Sequence, residues 1–397
     1  MAHEGLEVAD VFRHFGPAFR DRNGASLSAA RRRAMIAIES CRTAALGGHL
    51  EECGDCGHQR VSYNSCRHKA CPKCQGLARA RWLEDRQAEL LDVPYFHVVF
   101  TVPSEIEVIA FQNQAVAYDI LFQAASETLR KIAADPKHLG AEIGFLGVLH
   151  TWGQSLQHHP HIHFLVPGGG IAPDGDSWIA CRPGFFLPVT VLSSMFRGLF
   201  LRYLTKAFAA GALKFFSAHR HLNEPAAFRR YLAPVWNTDW VVYAKPPFAG
   251  PAQVLDYVGR YTHRVAISNS RLLSMDTAKV RFRYKDYRDG NRQKTMTLDG
   301  QEFIRRFLIH VLPAGFHRIR YFGFLSNSHR ARKLERCREL LGMAPAAPID
   351  PPADYRDRFE ALTGWSLREC PHCQTGIMVV IGCVTRPGVC QPAPDTS

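Results

Sequence analysis

The 397-residue sequence has no long apolar run. A bilayer-spanning helix needs roughly 18–20 such residues, and the longest run, around Gly376 to Val384, falls far short. Met1 to Asp10 lacks the basic-then-apolar order of a secretory leader. These absences predict a soluble, intracellular chain with no membrane partner. No Walker-type GxxxxGK[ST] motif is present, which excludes a built-in helicase motor. No internal repeat is visible. Acidic residues are also scarce: 36 Asp+Glu against 49 Lys+Arg leave a formal charge of +13. Such a surplus favours a polyanionic partner, nucleic acid before a membrane surface. It is concentrated between Asp256 and Leu340, where 19 Lys/Arg face 8 Asp/Glu, a difference of 11.

Apolar residues at 46% and aromatics at 11% are ample for globular cores, and the length predicts two or three domains. The first 50 residues read as helical, with Ser28 as a cap and Gly47-Gly48 as a stop. Residues 95–102, YFHVVFTV, form a good strand. Ser104 with Glu107 has the spacing of a capping box ahead of a long helix toward Asp135-Pro136. Residues 143–151 and 161–166 read as paired strands, and Val189 to Ala209 as an apolar helix. Val280, Phe282 and Tyr284 alternate with Arg281, Arg283 and Lys285, predicting a hairpin with one basic face. Arginines there can follow a phosphate backbone, and nearby aromatics can stack on unpaired bases.

The strongest chemical signal is His159-Pro160-His161-Ile162-His163. Strand side chains alternate faces, so His161 and His163 project to one side, about 6–7 Å apart. Two imidazoles so placed can hold a divalent ion while Ile162 packs inward. A third ligand is required, with His150 the first choice and Gln154 and His159 the rivals; hairpin register decides. The second signal is Tyr257-Val258-Gly259-Arg260-Tyr261. Residues four apart share a helix face, so both phenols can enter one pocket, with Arg260 and Arg264 placed to meet a phosphate. A phenol with a pKa near 10 is a weak nucleophile, and a metal-polarised phosphate makes its attack feasible.

Taken together these residues resemble the HUH endonucleases, and more closely the two-tyrosine rolling-circle transposases of the insertion-sequence-91 family. The likeness extends over about residues 30–340. It is carried by CRTAALGGH (41–49), YNSCRHKACPKCQ (63–75), PYFHVVFTVP (94–103), LHTWGQ (149–154), HPHIHFLVPGGG (159–170) and YVGRYTHRVAISNSRL (257–272). The resemblance implies His161 and His163 as metal ligands, Tyr257 and Tyr261 as a nucleophile pair, and dependence on Mg²⁺ or Mn²⁺. It implies an α+β fold, an antiparallel HUH sheet with helices preceded by a helical and zinc-ribbon leader. It further implies a mobile-element enzyme of the bacterial cytoplasm and nucleoid. Its partners would be single-stranded DNA at the element ends and target, with unwinding supplied by host replication or helicase proteins.

Cys53-x2-Cys56 and Cys71-x2-Cys74 have the spacing of two knuckles on one tetrahedral Zn²⁺, with Cys66, His68, His49 and His58 as competitors for places. Cys370-x2-Cys373 in the tail is a lone knuckle that Cys383 and Cys390 could complete. The expected organisation is therefore a leader (1–92) with the ribbon at 53–74, a nuclease core (93–272), a basic hairpin and helix extension (273–343), and a linker and Cys-bearing tail (344–397). Other readings are a replication initiator or relaxase using the same chemistry, a histidine-triad nucleotide enzyme, and a non-catalytic zinc DNA-binding protein. Pro160 and the charge speak against the triad enzyme, and the last leaves the HxH strand without a purpose.

Overall fold

The computed structural model describes residues 5–74, 79, 82–83, 85–87, 89–184, 186–245, 254, 259, 265–287, 289–345, 354–364 and 366–386. The chain divides into two compact units, and neither is continuous in sequence. One comprises Met1–Glu84, His263–Val311 and Ile349–Ser397; the other comprises Asp85–Thr262 and Leu312–Pro348.

In the first unit, helix α1 (Val8–Asn23) buries Val8, Val11, Phe12, Phe15 and Phe19, a 3–4 spacing that makes one apolar face. That face meets a helix from much later in the chain, α7 (Gly300–Ile309), where Phe307 lies edge-on to Phe12 at 5.2 Å. Gly300 is required here because a Cβ would enter the ring of Phe15. Asp299 caps α7 by accepting from the amides of Gln301 and Glu302. Helix α2 (Ala29–Ser40) is capped by Ser28, as its sequence predicts. The basic hairpin is present as β10 (Lys279–Asp286) and β11 (Arg292–Asp299), with β9 (Leu272–Met275) added on the other side of β10. Val280 and Phe282 are buried while Arg281 and Arg283 are exposed. A second three-stranded sheet pairs β1 (Gly48–Cys53) with both β2 (Gln59–Tyr63) and β13 (Met378–Val384). Helix α9 (Tyr355–Thr363) precedes β13.

The second unit is built on a five-stranded antiparallel sheet in the order β12-β4-β5-β3-β8. Its strands are β3 (Tyr95–Thr101), β4 (Gly144–Trp152), β5 (His158–Pro167), β8 (Val242–Lys245) and β12 (Ile319–Gly323). Val98, Phe100, Phe145, Leu149, Ile162, Phe164 and Val166 alternate onto one face and join the main hydrophobic core. That core is shared with helices α3 (Ser104–Gln112), α4 (Gln114–Ala134), α5 (Val189–Ala209) and α6 (Pro225–Asn237). The glycine run continues as a short ribbon, β6 (Gly169–Ile171) with β7 (Trp178–Ala180). Side chains there are excluded by crowding: a Cβ on Gly169 would strike Trp178, and one on Gly170 the carbonyl of Glu142. Among the described residues, no helix is long and apolar enough to cross a membrane.

The α+β class and antiparallel sheet are as expected, whereas the boundaries at 92, 272 and 343 are redrawn. The stretch 273–343 is not one extension. Its hairpin and α7 pack in the first unit, while β12 hydrogen-bonds along β4 and carries helix α8 (Arg330–Leu340) into the second. The tail is not an appendage either, because β13 pairs along the whole of β1. Ser104 is also not a cap: it begins α3 behind Pro103, and the run toward Asp135 breaks between Gln112 and Gln114.

Candidate metal centre

The sheet face opposite the helices carries the histidines. In β5, Ile162 and Phe164 point into the core, so His161 and His163 must point away from it. Register supplies the third group, because His150 in β4 pairs directly with His161 and Val148 with His163. One ring nitrogen from each of His150, His161 and His163 lies within 4.8 Å of the other two. Nitrogens at about 2.1 Å from a single ion are separated by roughly 3–4 Å, so small ring rotations close the set. His150 is 3% exposed, whereas His161 and His163 are half-buried. Gln154 lies in the turn after Trp152, and His159 is engaged elsewhere, its Nδ1 donating to Glu107 Oε1 at 2.5 Å. Glu107, read from sequence as a capping residue, thus serves this pairing.

Two contacts orient the rings. His161 Nδ1 donates to the carbonyl of His159 at 2.7 Å, which leaves Nε2 for an ion. His163 Nδ1 lies 2.8 Å from His97 Nε2, and these rings stack with an interplanar angle of 4°. Ligation by His163 through Nε2 places the proton on Nδ1, from which His97 accepts it. Burial pushes His161 down to about 4, helped by the nearby His159. Burial, then the positive charge of Lys245, pushes His97 down to about 3. Both rings are therefore neutral donors or acceptors near pH 7, the form that metal ligation requires. Sequence reasoning missed His97. Its signal was the alternation in YFHVVF, which puts His97 and Val99 on the face that His163 occupies.

The tyrosine segment is a different matter. Tyr257, Arg260, Tyr261 and Arg264 lie outside the described residues.

The cysteines do not assemble as expected. Cys53, Cys56, Cys71 and Cys74 are not one group. Cys71 and Cys74 gather with Cys41 and Cys66, and Cys53 and Cys56 with Cys370 and Cys373. The reason is local: β1 and β2 hold Cys53 and Cys56 at the end of the sheet where β13 arrives, and Cys41 follows the end of α2 beside the 66–74 loop. In the group of Cys41, Cys66, Cys71 and Cys74, Cys74 Sγ stands 3.5 Å from Cys41 Sγ and 3.6 Å from Cys66 Sγ. Thiol–thiol hydrogen bonds there pull Cys41 down to about 7 and Cys74 well down, and hold Cys66 and Cys71 up. Arg42 and Arg67, each just after a cysteine of this group, have positive φ, and the amide of His68, just beyond Arg67, points at Cys66 Sγ at 3.5 Å.

A family model described as a transposase zinc-binding domain matches residues 11–102. Another, described as "Putative transposase", matches residues 144–333, which include the histidine strand pair and the tyrosine segment. The chain is 65% identical over 383 residues to the "Putative transposase y4qJ" of Sinorhizobium fredii, covering 96% of each. It is 30% identical over 312 residues to the transposase for insertion sequence element IS801 of Pseudomonas savastanoi pv. phaseolicola, covering 78% of this chain and 73% of that one. The chain belongs to the transposases of the insertion-sequence-91 family. No solved structure matches the transposase. As a transposase it is an enzyme that acts on DNA, and the matched zinc-binding domain and clustered thiols make zinc a structural metal of its N-terminal part.

Proposed function

We propose that the transposase cleaves and rejoins single-stranded DNA through a 5′-phosphotyrosine intermediate during rolling-circle transposition. The observation that carries this reading is the convergence of His150, His161 and His163 on the open face of the antiparallel sheet. His150, His161 and His163 would hold the ion, and three imidazoles with no carboxylate among them are a better match to Mn²⁺ than to Mg²⁺. When bound, such an ion offsets charge on the non-bridging oxygens of the scissile phosphate and holds it for in-line attack.

The chain's own residues do the rest. Tyr257 or Tyr261 attacks phosphorus through its phenol oxygen. The P–O3′ bond breaks, the new bond is a phosphotyrosine on the 5′ side, and the freed 3′ oxygen takes up a proton. Arg260 and Arg264 clamp the phosphate, and the second tyrosine opens the next strand. A returning 3′-OH then displaces tyrosine and reseals the backbone. The basic face of the β10–β11 hairpin, Arg281, Arg283 and Lys285, is suited to following the DNA backbone. Partners are single-stranded element ends and target DNA, with host proteins unwinding the duplex, in the bacterial cytoplasm and nucleoid.

The test uses end-labelled single-stranded DNA from the element's termini with Mn²⁺. An SDS-resistant protein–DNA adduct is expected. It disappears in the Tyr257→Phe, Tyr261→Phe double variant, and an adduct that survives in that variant excludes the mechanism.

A further inference from the structure

The tail knuckle Cys370–Cys373 lies beyond both matched segments, which stop at residues 102 and 333. Yet its sulfurs face those of a knuckle more than three hundred residues earlier. Cys53 Sγ is 3.7 Å from Cys373 Sγ, and Cys56 Sγ is 3.7 Å from Cys370 Sγ. Four thiolates at about 2.3 Å from a central Zn²⁺ form a tetrahedron with edges of about 3.8 Å. A disulfide needs sulfurs about 2.05 Å apart, so these pairs are too distant for one and spaced for a shared ion.

The backbone repeats the same turn on both sides. The amide of Gly57 donates to the carbonyl of Cys53 at 3.0 Å, and that of Gln374 to the carbonyl of Cys370 at 3.0 Å. Gly57 and Gln374 both hold positive φ, +68° and +60°. For Gln374, a residue with a Cβ, that conformation is strained and needs a local reason; a knuckle folding its sulfurs around an ion supplies one. Amides also point at the sulfurs, His372 N at Cys370 Sγ (3.4 Å) and Gly376 N at Cys373 Sγ (3.3 Å), which offsets thiolate charge. Gly376 has no room for a side chain, since a Cβ would overlap the sulfur of Cys53. Strand pairing delivers the tail in register, Cys53 opposite Met378, and Arg60 reinforces it by donating to the carbonyl of Leu367 at 2.8 Å.

We propose that Cys53, Cys56, Cys370 and Cys373 jointly hold one structural Zn²⁺, distinct from the ion of Cys41, Cys66, Cys71 and Cys74, so that a single ribbon is closed by cysteines from both halves of the chain. All four coordination places are filled by protein, so this ion has no open position for substrate.

The test is differential alkylation of the full-length, zinc-loaded protein while a chelator is added in steps, read by peptide mass spectrometry beside elemental zinc. Cys53, Cys56, Cys370 and Cys373 are expected to be protected at first and then to label together as one equivalent of zinc leaves. Rapid labelling of Cys370 and Cys373 with zinc content intact overturns the proposal. Zinc counting in variants gives a second reading: Cys53→Ser, Cys370→Ser and the double variant should each lack the same one equivalent. Loss of two equivalents in the double variant, or none in Cys370→Ser, overturns it as well. The alkylation experiment needs no variant to fold.

Discussion

The histidine face and the cysteine groups are both metal-type arrangements, and they differ in how they are built. His161 and His163 are two residues apart on one strand, and His150 is one hydrogen-bonded pair away. The cysteines of the ribbon come from segments that meet only after β13 has added to β1. The first arrangement has three histidines, two of them half-buried; the second has four thiols, of which Cys53 and Cys370 are fully buried. Three protein ligands would leave a coordination place free for chemistry, whereas four thiolates would close a site and suit stability. Removing a ligand should therefore separate the two: activity without stability in one case, stability first in the other.

The largest expected effect is on the histidine side. His161→Ala with His163→Ala should lower phosphotyrosine formation by on the order of 10³-fold, since metal polarisation contributes several kcal/mol. Zinc content and the thermal midpoint should be nearly unchanged, and a matching collapse of both would erase the distinction. Next comes Cys71→Ser. Structural zinc contributes most of the folding free energy of such small regions, so the thermal midpoint should fall by several degrees or more with loss of one zinc. An unaltered midpoint by calorimetry would show that these thiols hold no structural ion.

His97→Ala gives a smaller effect. Losing the acceptor for the His163 proton should weaken Mn²⁺ binding by about 10–100-fold, measured by paramagnetic titration, with zinc and fold retained. Rescue by a hydrogen-bonding replacement such as Gln is expected, and failure of Gln to restore affinity would count against an orienting role. Smallest is Arg281→Gln with Arg283→Gln. Each lost phosphate contact should reduce the salt slope of single-stranded DNA binding by about 0.7, with adduct formation at saturating DNA unaffected. An unchanged slope would take the hairpin out of the DNA path.

What could be read from sequence follows the same division. The HxH strand was legible because alternation fixes which residues share a face, and Ile162, Phe164 and Val166 leave no doubt about the core side. His150 was within reach because a short turn restricts the hairpin register, although the bulge between His150 and Trp152 means spacing alone could not prove the pairing. The Cys pairing was not legible. Two CxxC pairs 14 residues apart satisfy the usual spacing rule, yet Cys41 and the tail knuckle compete for them through contacts of long sequence separation. Glu107 misled for a related reason. A Glu three residues after Ser is a capping signal only if Ser precedes the helix, and Pro103 takes that place. The roles given to Tyr257 and Tyr261 rest on their spacing and the family.

Synthesis on the ribosome gives the tail a further significance. Bacterial and eukaryotic ribosomes add about 5–20 residues per second, so Cys370 appears roughly 15–60 s after Cys56, from which it is 314 positions distant. By the end of that interval every strand of the histidine sheet, ending with Gly323, has been made, while β1 and β2 still lack their third strand. A nascent transposase thus carries its histidine sheet before its zinc ribbon can close, and a message broken after codon 323 but before codon 370 would yield the former without the latter.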